Sequence, residues 1–161
     1  MWISPKTKAN YYLTLFSITK IPLLWFCRPK IVHISNKSIE IKIPLKRRTK
    51  NHLKSMYFGA LSVGADITGG FLAMMCIQKS DRKIALIFKD FKADFLKRAE
   101  GDVHFVCNEG DEISKLVHKT IKSGQRENMI VHIDAIVPSI SDDIVAKFEL
   151  TLSLKDKSII R

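Results

Sequence analysis

NHLKSMYFGALSVGADITGGFLAMM, residues 51–75, is an apolar, glycine-studded run with a single carboxylate, Asp66, near its middle. Its composition predicts a helix from Tyr57 to Cys76, about 30 Å long at about 1.5 Å per residue, with almost no polar face. Such a helix is buried on most sides. At 100° per residue, Gly59, Ser62, Asp66, Gly69, Gly70 and Ala73 fall within one stripe, while Leu61, Val63, Ile67, Phe71, Leu72, Met74 and Met75 fill the rest. The stripe is a slot of small side-chain volume, so something approaches the backbone there. Each helix-interior glycine costs about 1 kcal/mol relative to Ala, which a close neighbour would explain. A buried carboxylate must be hydrogen-bonded, paired or shifted upward in pKa. Two readings follow. Either the slot lets another helix pack closely and Asp66 caps a neighbouring backbone, or Asp66 faces a substrate.

The rest of the chain bounds these readings. With 161 residues, 46% of them hydrophobic, it suits one domain with a sizeable core. A net charge of +11 favours anionic partners: nucleic acid, an acidic membrane surface or a phosphorylated small molecule. Nucleic acid is disfavoured, because only the net charge points to it. Cys27, Cys76 and Cys107 lack CxxC spacing, so neither a zinc site nor a disulfide framework is indicated, and a reducing, cytoplasmic setting fits.

Residues 9–27, ANYYLTLFSITKIPLLWFC, form the other long apolar run. Lys20 and Pro22 interrupt it, leaving about a dozen uncharged residues where a spanning helix needs roughly 20. No small-residue cleavage site follows. The expectation is an amphipathic helical segment, residues 1–28, that packs on the domain or grazes a membrane surface with Trp2, Trp25 and its lysines. From Ile31 the period becomes two: IVHIS and SIEIKIPL read as a hairpin with Ile39, Ile41 and Ile43 on one face. Lys46, Arg47, Arg48 and Lys50 then form a basic loop. After the central helix come short strands at 84–88 and 91–98, a strand at 103–107, a helix at 111–123 with acidic start and basic end, and two long strands at 128–138 and 144–154. This order predicts an α+β domain, residues 29–161, in which one antiparallel sheet wraps a long central helix.

That order resembles the hotdog fold, and Asn51 to Gly70 resembles the active-site segment of acyl-CoA thioesterases of the phenylacetic-acid-degradation type. In that group an Asn precedes the helix, a glycine-bearing turn opens it, and an acidic residue lies fifteen positions after the Asn. Asn51, Gly59 and Asp66 match this pattern, and FLKRAEGD (95–102) resembles the strand ending in a glycine turn. IPLLWFCRPK with IPLKRRTKNHLKSMYFGALSVGADITGG is similar to an uncharacterised branch of the superfamily, a domain of unknown function related to these thioesterases. Two departures stand out. Tyr57, Phe58 and Gly59 replace His-Gly-Gly at the helix opening, and Lys54 replaces a glycine.

The resemblance implies a catalytic set of Asp66, which activates water or attacks directly, Asn51, which orients water or carbonyl, and Gly59, a backbone donor at the helix N-terminus assisted by Phe58. Tyr57, Phe58, Ser62, Gly69 and Gly70 are the implied substrate-binding residues, with Lys54 and Arg48 as candidate contacts to coenzyme A phosphates, alongside Lys97 and Arg98. The substrate is an acyl-CoA or similar thioester, with no cofactor beyond the coenzyme A it carries, and the assembly is a homodimer or a dimer of dimers. His52 could assist; His33, His104, His118 and His132 share no spacing and read as structural or surface residues. The opposing reading is a hotdog protein that binds an acyl or other hydrophobic ligand, or regulates, without turnover; Tyr57 and Phe58 support it.

Overall fold

Ile39, Ile41 and Ile43 alternate with Glu40 and Lys42, and the alternation becomes a hairpin of β1 (Lys30–Ile34) and β2 (Ile39–Ile43) with all three isoleucines in the core. The computed structural model describes residues 4–158, so Trp2 lies outside the described residues. Ahead of the hairpin stand α1 (Pro5–Thr19) and α2 (Pro22–Cys27). After it come α3 (Phe58–Lys79), β3 (Ile84–Phe95), β4 (Val103–Cys107), α4 (Gly110–Ser123), β5 (Glu127–Val137) and β6 (Ser141–Asp156). The strands form one sheet in the order β1-β2-β4-β5-β6-β3, every neighbouring pair antiparallel. The α+β architecture expected from the sequence, a curved sheet around a long helix, is the one observed.

The apolar alternation of the strands builds the floor on which α3 lies. Ile41, Phe105, Ile133, Ala135, Phe148 and Leu150 are buried and face the helix layer, each large side chain contributing about 2 kcal/mol on burial. α3 is long and apolar enough to span a bilayer, yet Ala60, Leu61, Ala65, Ile67, Phe71, Leu72 and Ala73 are buried, most of them against the sheet. α4 packs on α3, β5 and β6, with Asp111 and Glu112 in its first turn, Lys122 in its last and Gly124 in the left-handed conformation as its stop.

Three local expectations are corrected. The central helix starts at Phe58, with Tyr57 as its N-cap residue, and runs on to Lys79 because Ile77 still packs against the core. The two short strands after it are one strand, β3, whose register with β6 shifts between Phe88 and Phe91; Lys89 and Asp90 interrupt the alternation without ending the pairing. The expected N-terminal helical segment is present as α1 and α2, separated where Pro22 restarts the backbone at the first turn of α2. The expected amphipathicity, however, is not that of an ordinary surface helix in α1. Leu13 and Ser17 are buried, while Tyr11, Leu15 and Ile18 face out.

Candidate functional site

The Asn51 side chain organises the approach to α3. Its Oδ1 accepts from the backbone N–H groups of Leu53 (2.9 Å) and Ser55 (3.1 Å), and its Nδ2 donates to Ser55 Oγ (3.1 Å). The turn closes with the Asn51 N–H donating to Ser55 O (2.8 Å), and places Lys54 at φ 65°, the left-handed region. A glycine would hold that position without steric cost, which gives the Lys54 departure a conformational meaning. The Met56 N–H then donates to Ala99 O (2.8 Å), and Arg98 reaches Leu53 O, so the NHLKS turn and the FLKRAEGD turn are tied together. Tyr57 donates to Thr49 O (2.8 Å).

Beyond this knot the helix N-terminus is open. The Ala60 and Leu61 N–H groups both donate to Tyr57 O, whereas those of Phe58 and Gly59 have no acceptor among the described residues. These two N–H groups sit at the positive end of the helix dipole. The Tyr57 ring lies against Gly59, its Cε1 2.6 Å from where a Cβ would stand, and it packs at 4.8 Å from the Phe58 ring; both rings are half exposed.

Asp66 lies seven residues along α3 from Gly59, on the same face and about 10 Å further along the axis. Its carboxylate forms no hydrogen bond or ion pair among the described residues, and burial raises its pKa above the usual aspartate range. It lines a cleft of about 520 Å³ with Gly70 and Met74 on the same helix, Tyr12 and Phe16 on α1, and Phe88 on β3. Asp66 is the one acidic residue of that lining. A lone, partly desolvated carboxylate in an apolar cleft is held toward its neutral form, which makes it a better proton acceptor once ionised.

The remaining residues singled out in the sequence divide by position. Ser62 lies between Gly59 and Asp66 on the same face, its Oγ donating to Phe58 O (3.0 Å). Gly70 borders the cleft, whereas Gly69 is outside its lining, beneath Val131 and Ile133 of β5 and beside Phe88. Among the glycines of α3 the closest approach is at Gly64, outside the stripe, where Phe105 of β4 presses in. Within the stripe, Gly59 meets the Tyr57 ring, and Gly69 and Gly70 meet side chains of β5 and β3. Arg48 stands apart from the Asp66 cleft, beside Phe26, Lys46 and Arg47. Lys97 and Arg98 are paired with Asp143 (2.7 Å) and Glu100 (3.3 Å). His104 and His132 bond Glu40 and Glu109, and His118 bonds Ser114 O. Cys107 is buried, its thiol pushed up to about 11 by desolvation. Tyr12, Phe16 and Phe88 were not anticipated as cleft residues. The four-residue spacing of Tyr12 and Phe16 was their only sequence signal, and Phe88 is brought in by the sheet order.

Residues 10–154 match the family described as a domain of unknown function, DUF4442. A comparison with curated proteins found no match. Among solved structures, a protein of unknown function and probable thioesterase from Pseudomonas aeruginosa is 19% identical with a TM-score of 0.78, over 95% of this chain and 97% of that one. A protein of unknown function from Chlorobaculum tepidum is 12% identical with a TM-score of 0.80, over 94% of this chain and 96% of that one. A thioesterase from Haemophilus influenzae is 15% identical with a TM-score of 0.68, over 97% of this chain and 93% of that one. Likeness at these identities is likeness of fold, and the fold is the hotdog fold.

Proposed function

Because this chain belongs to the DUF4442 family and has the hotdog fold, we propose that it hydrolyses an acyl thioester, with coenzyme A as the thiol carrier. The observation that carries the reading is the lone Asp66 carboxylate in its apolar cleft, on the same face of α3 as the two open N–H groups of Phe58 and Gly59. In this reading Asp66 takes a proton from water as the water oxygen bonds to the thioester carbonyl carbon. The N–H pair holds the oxygen that gains negative charge. The C–S bond then breaks, and the thiolate leaves with the proton held by Asp66, yielding a carboxylic acid and a thiol. Asn51 acts by shaping the turn that presents the donors, since its amide is engaged there.

About 10 Å along one helix separates the donors from the carboxylate, more than one carbonyl group can bridge. A homodimer resolves this by pairing the Gly59 end of one copy with Asp66 of the other. The edge strand β3, paired among the described residues with β6 alone and exposing Ile87, Phe91 and Phe95, is the surface such a dimer would use. Arg48 and its basic neighbours are the candidates for coenzyme A phosphates.

A second reading, ligand binding without turnover, is favoured by the Tyr57 ring that covers Gly59. Purified protein is assayed against a panel of acyl-CoAs with a thiol-trapping reagent, beside Asp66→Asn and Tyr57→Gly. Hydrolysis by the wild type that falls about 100-fold or more in Asp66→Asn supports the reading. A thermal shift with acyl-CoA, no thiol release by the wild type, and none in Tyr57→Gly would establish the binder instead.

A further inference from the structure

The charge of this protein is not evenly distributed. Residues 1–65 contain twelve Lys and Arg against one acidic residue, Glu40; residues 66–161 contain fifteen of each sign. The whole net charge of +11 therefore belongs to the first 65 residues. Of those twelve cations only Lys37 and Lys42 meet a carboxylate, Asp111 and Asp102, among the described residues. The rest of this part of the protein is an uncompensated positive field.

The same region exposes apolar side chains in an ordered pattern. Lys8, Tyr11, Leu15 and Ile18 recur at spacings of three, four and three and so form one outward stripe of α1. Tyr11 is 72% exposed, Leu15 47% and Ile18 49%. α2 continues the ridge with Leu23 (58%) and Phe26 (52%). Cations flank it on both sides. Lys6, Arg28 and Lys30 line a cleft of about 740 Å³ between α1, α2 and β1, where the Arg28 guanidinium stacks 3.4 Å from the Trp25 ring centroid. Lys46, Arg47 and Arg48 line the groove beside Phe26.

We propose that this α1–α2 face docks the protein on a bilayer of anionic phospholipids, the Tyr11, Leu15, Ile18, Leu23 and Phe26 ridge entering the interface while the flanking cations meet headgroup phosphates. Charge complementarity selects this occupant. A second copy meeting the first through the face would bring two such positive fields together. A nucleic acid would satisfy the cations but leave the aliphatic ridge without a partner, since phosphate backbones are bound by polar and charged groups. An anionic bilayer satisfies both, because interfacial helices bind through buried apolar area together with attraction to acidic lipids.

The test is flotation of the full chain with vesicles of phosphatidylcholine alone and of equal parts phosphatidylcholine and phosphatidylglycerol, at low and high salt. The wild type floats with the anionic vesicles, remains behind with the neutral ones, and is released by salt. Lys6→Gln with Lys8→Gln weakens binding by roughly 25-fold, about fivefold for each cation removed. Leu15→Glu with Ile18→Glu abolishes it, with Leu15→Ser and Ile18→Ser as the milder pair should the acidic one fail to fold. Absence of flotation, equal flotation with neutral vesicles, or flotation that survives the ridge substitutions overturns the proposal. So does a change of oligomeric state in the ridge variants by sedimentation, which would make the face a contact between copies.

Discussion

Two glycines of α3 receive opposite predictions for the same substitution. At Gly64 an added methyl would stand 2.2 Å from both Cε2 and Cζ of Phe105. Ordinary contact needs roughly 3.5–4.0 Å, so the ring must retreat by more than about 1 Å. It has little room: Phe105 is fully buried, sits between Ile41 and Ala135 in the sheet, and packs 6.2 Å from Phe148. Overpacking of this depth costs about 3 kcal/mol, and the gain in helix propensity returns about 1, leaving Gly64→Ala less stable by about 2 kcal/mol. For a chain of this size that lowers Tm by about 4–8 °C. At Gly70 the nearest atom is Phe88 Cε2 at 3.6 Å, an ordinary contact, so Gly70→Ala keeps the propensity gain of about 1 kcal/mol and raises Tm by about 2–4 °C. Scanning calorimetry at one protein concentration measures both, since self-association would tie Tm to concentration. Adding Phe105→Leu to Gly64→Ala makes room for the methyl, and a coupling of about 1 kcal/mol or more is expected in that cycle. A Gly64→Ala variant that melts at or above the wild type would refute the packing argument.

Other consequences concern single groups. Burial raises the Asp66 pKa in the folded chain, so below the unfolded value of 3.8 the carboxyl is neutral in both states and costs nothing; as pH rises through the folded value the charged form becomes a penalty. Asp66→Asn should therefore gain on the wild type as pH climbs from about 3 to about 8, and urea midpoints that differ by a constant amount would contradict this. Activity that needs ionised Asp66 should decline, on acidification, at a pH above that of a solvent-exposed aspartate; a pH–rate profile of the wild type checks it. Lys54→Gly relieves the left-handed backbone at φ 65° and should stabilise by up to about 1 kcal/mol, visible as a higher denaturation midpoint, while a lower one would mean the Lys54 stem packs favourably. Among the cysteines, partly exposed Cys76 should react first with a thiol reagent in the native state, with buried Cys27 and Cys107 labelled only on unfolding.

Much of the fold could be read from local patterns. The alternation of Ile39, Ile41 and Ile43, the uninterrupted apolarity of α3 and the charge order of α4 each specify an element through its own periodicity, because burial of one face is a local requirement on sequence. The same logic fails where one residue type serves two neighbours. Gly69 and Gly70 are adjacent in one apparent stripe and both meet Phe88, yet only Gly69 also lies beneath Val131 and Ile133 of β5 and only Gly70 borders the cleft, and a helical wheel has no information about how far each strand reaches. Lys89 and Asp90 look like a strand break, but pairing with β6 continues across them because the partner strand supplies the hydrogen bonds. The sequence by itself determined the element types, the central helix and the isolation of Asp66 as its one carboxylate. Only the tertiary structure decided what surrounds that carboxylate. Tyr12 and Phe88 come from opposite sides of α3 in the chain, and their meeting beside Asp66 depends on β3 crossing to the far edge of the sheet, a choice made by the packing of all six strands together.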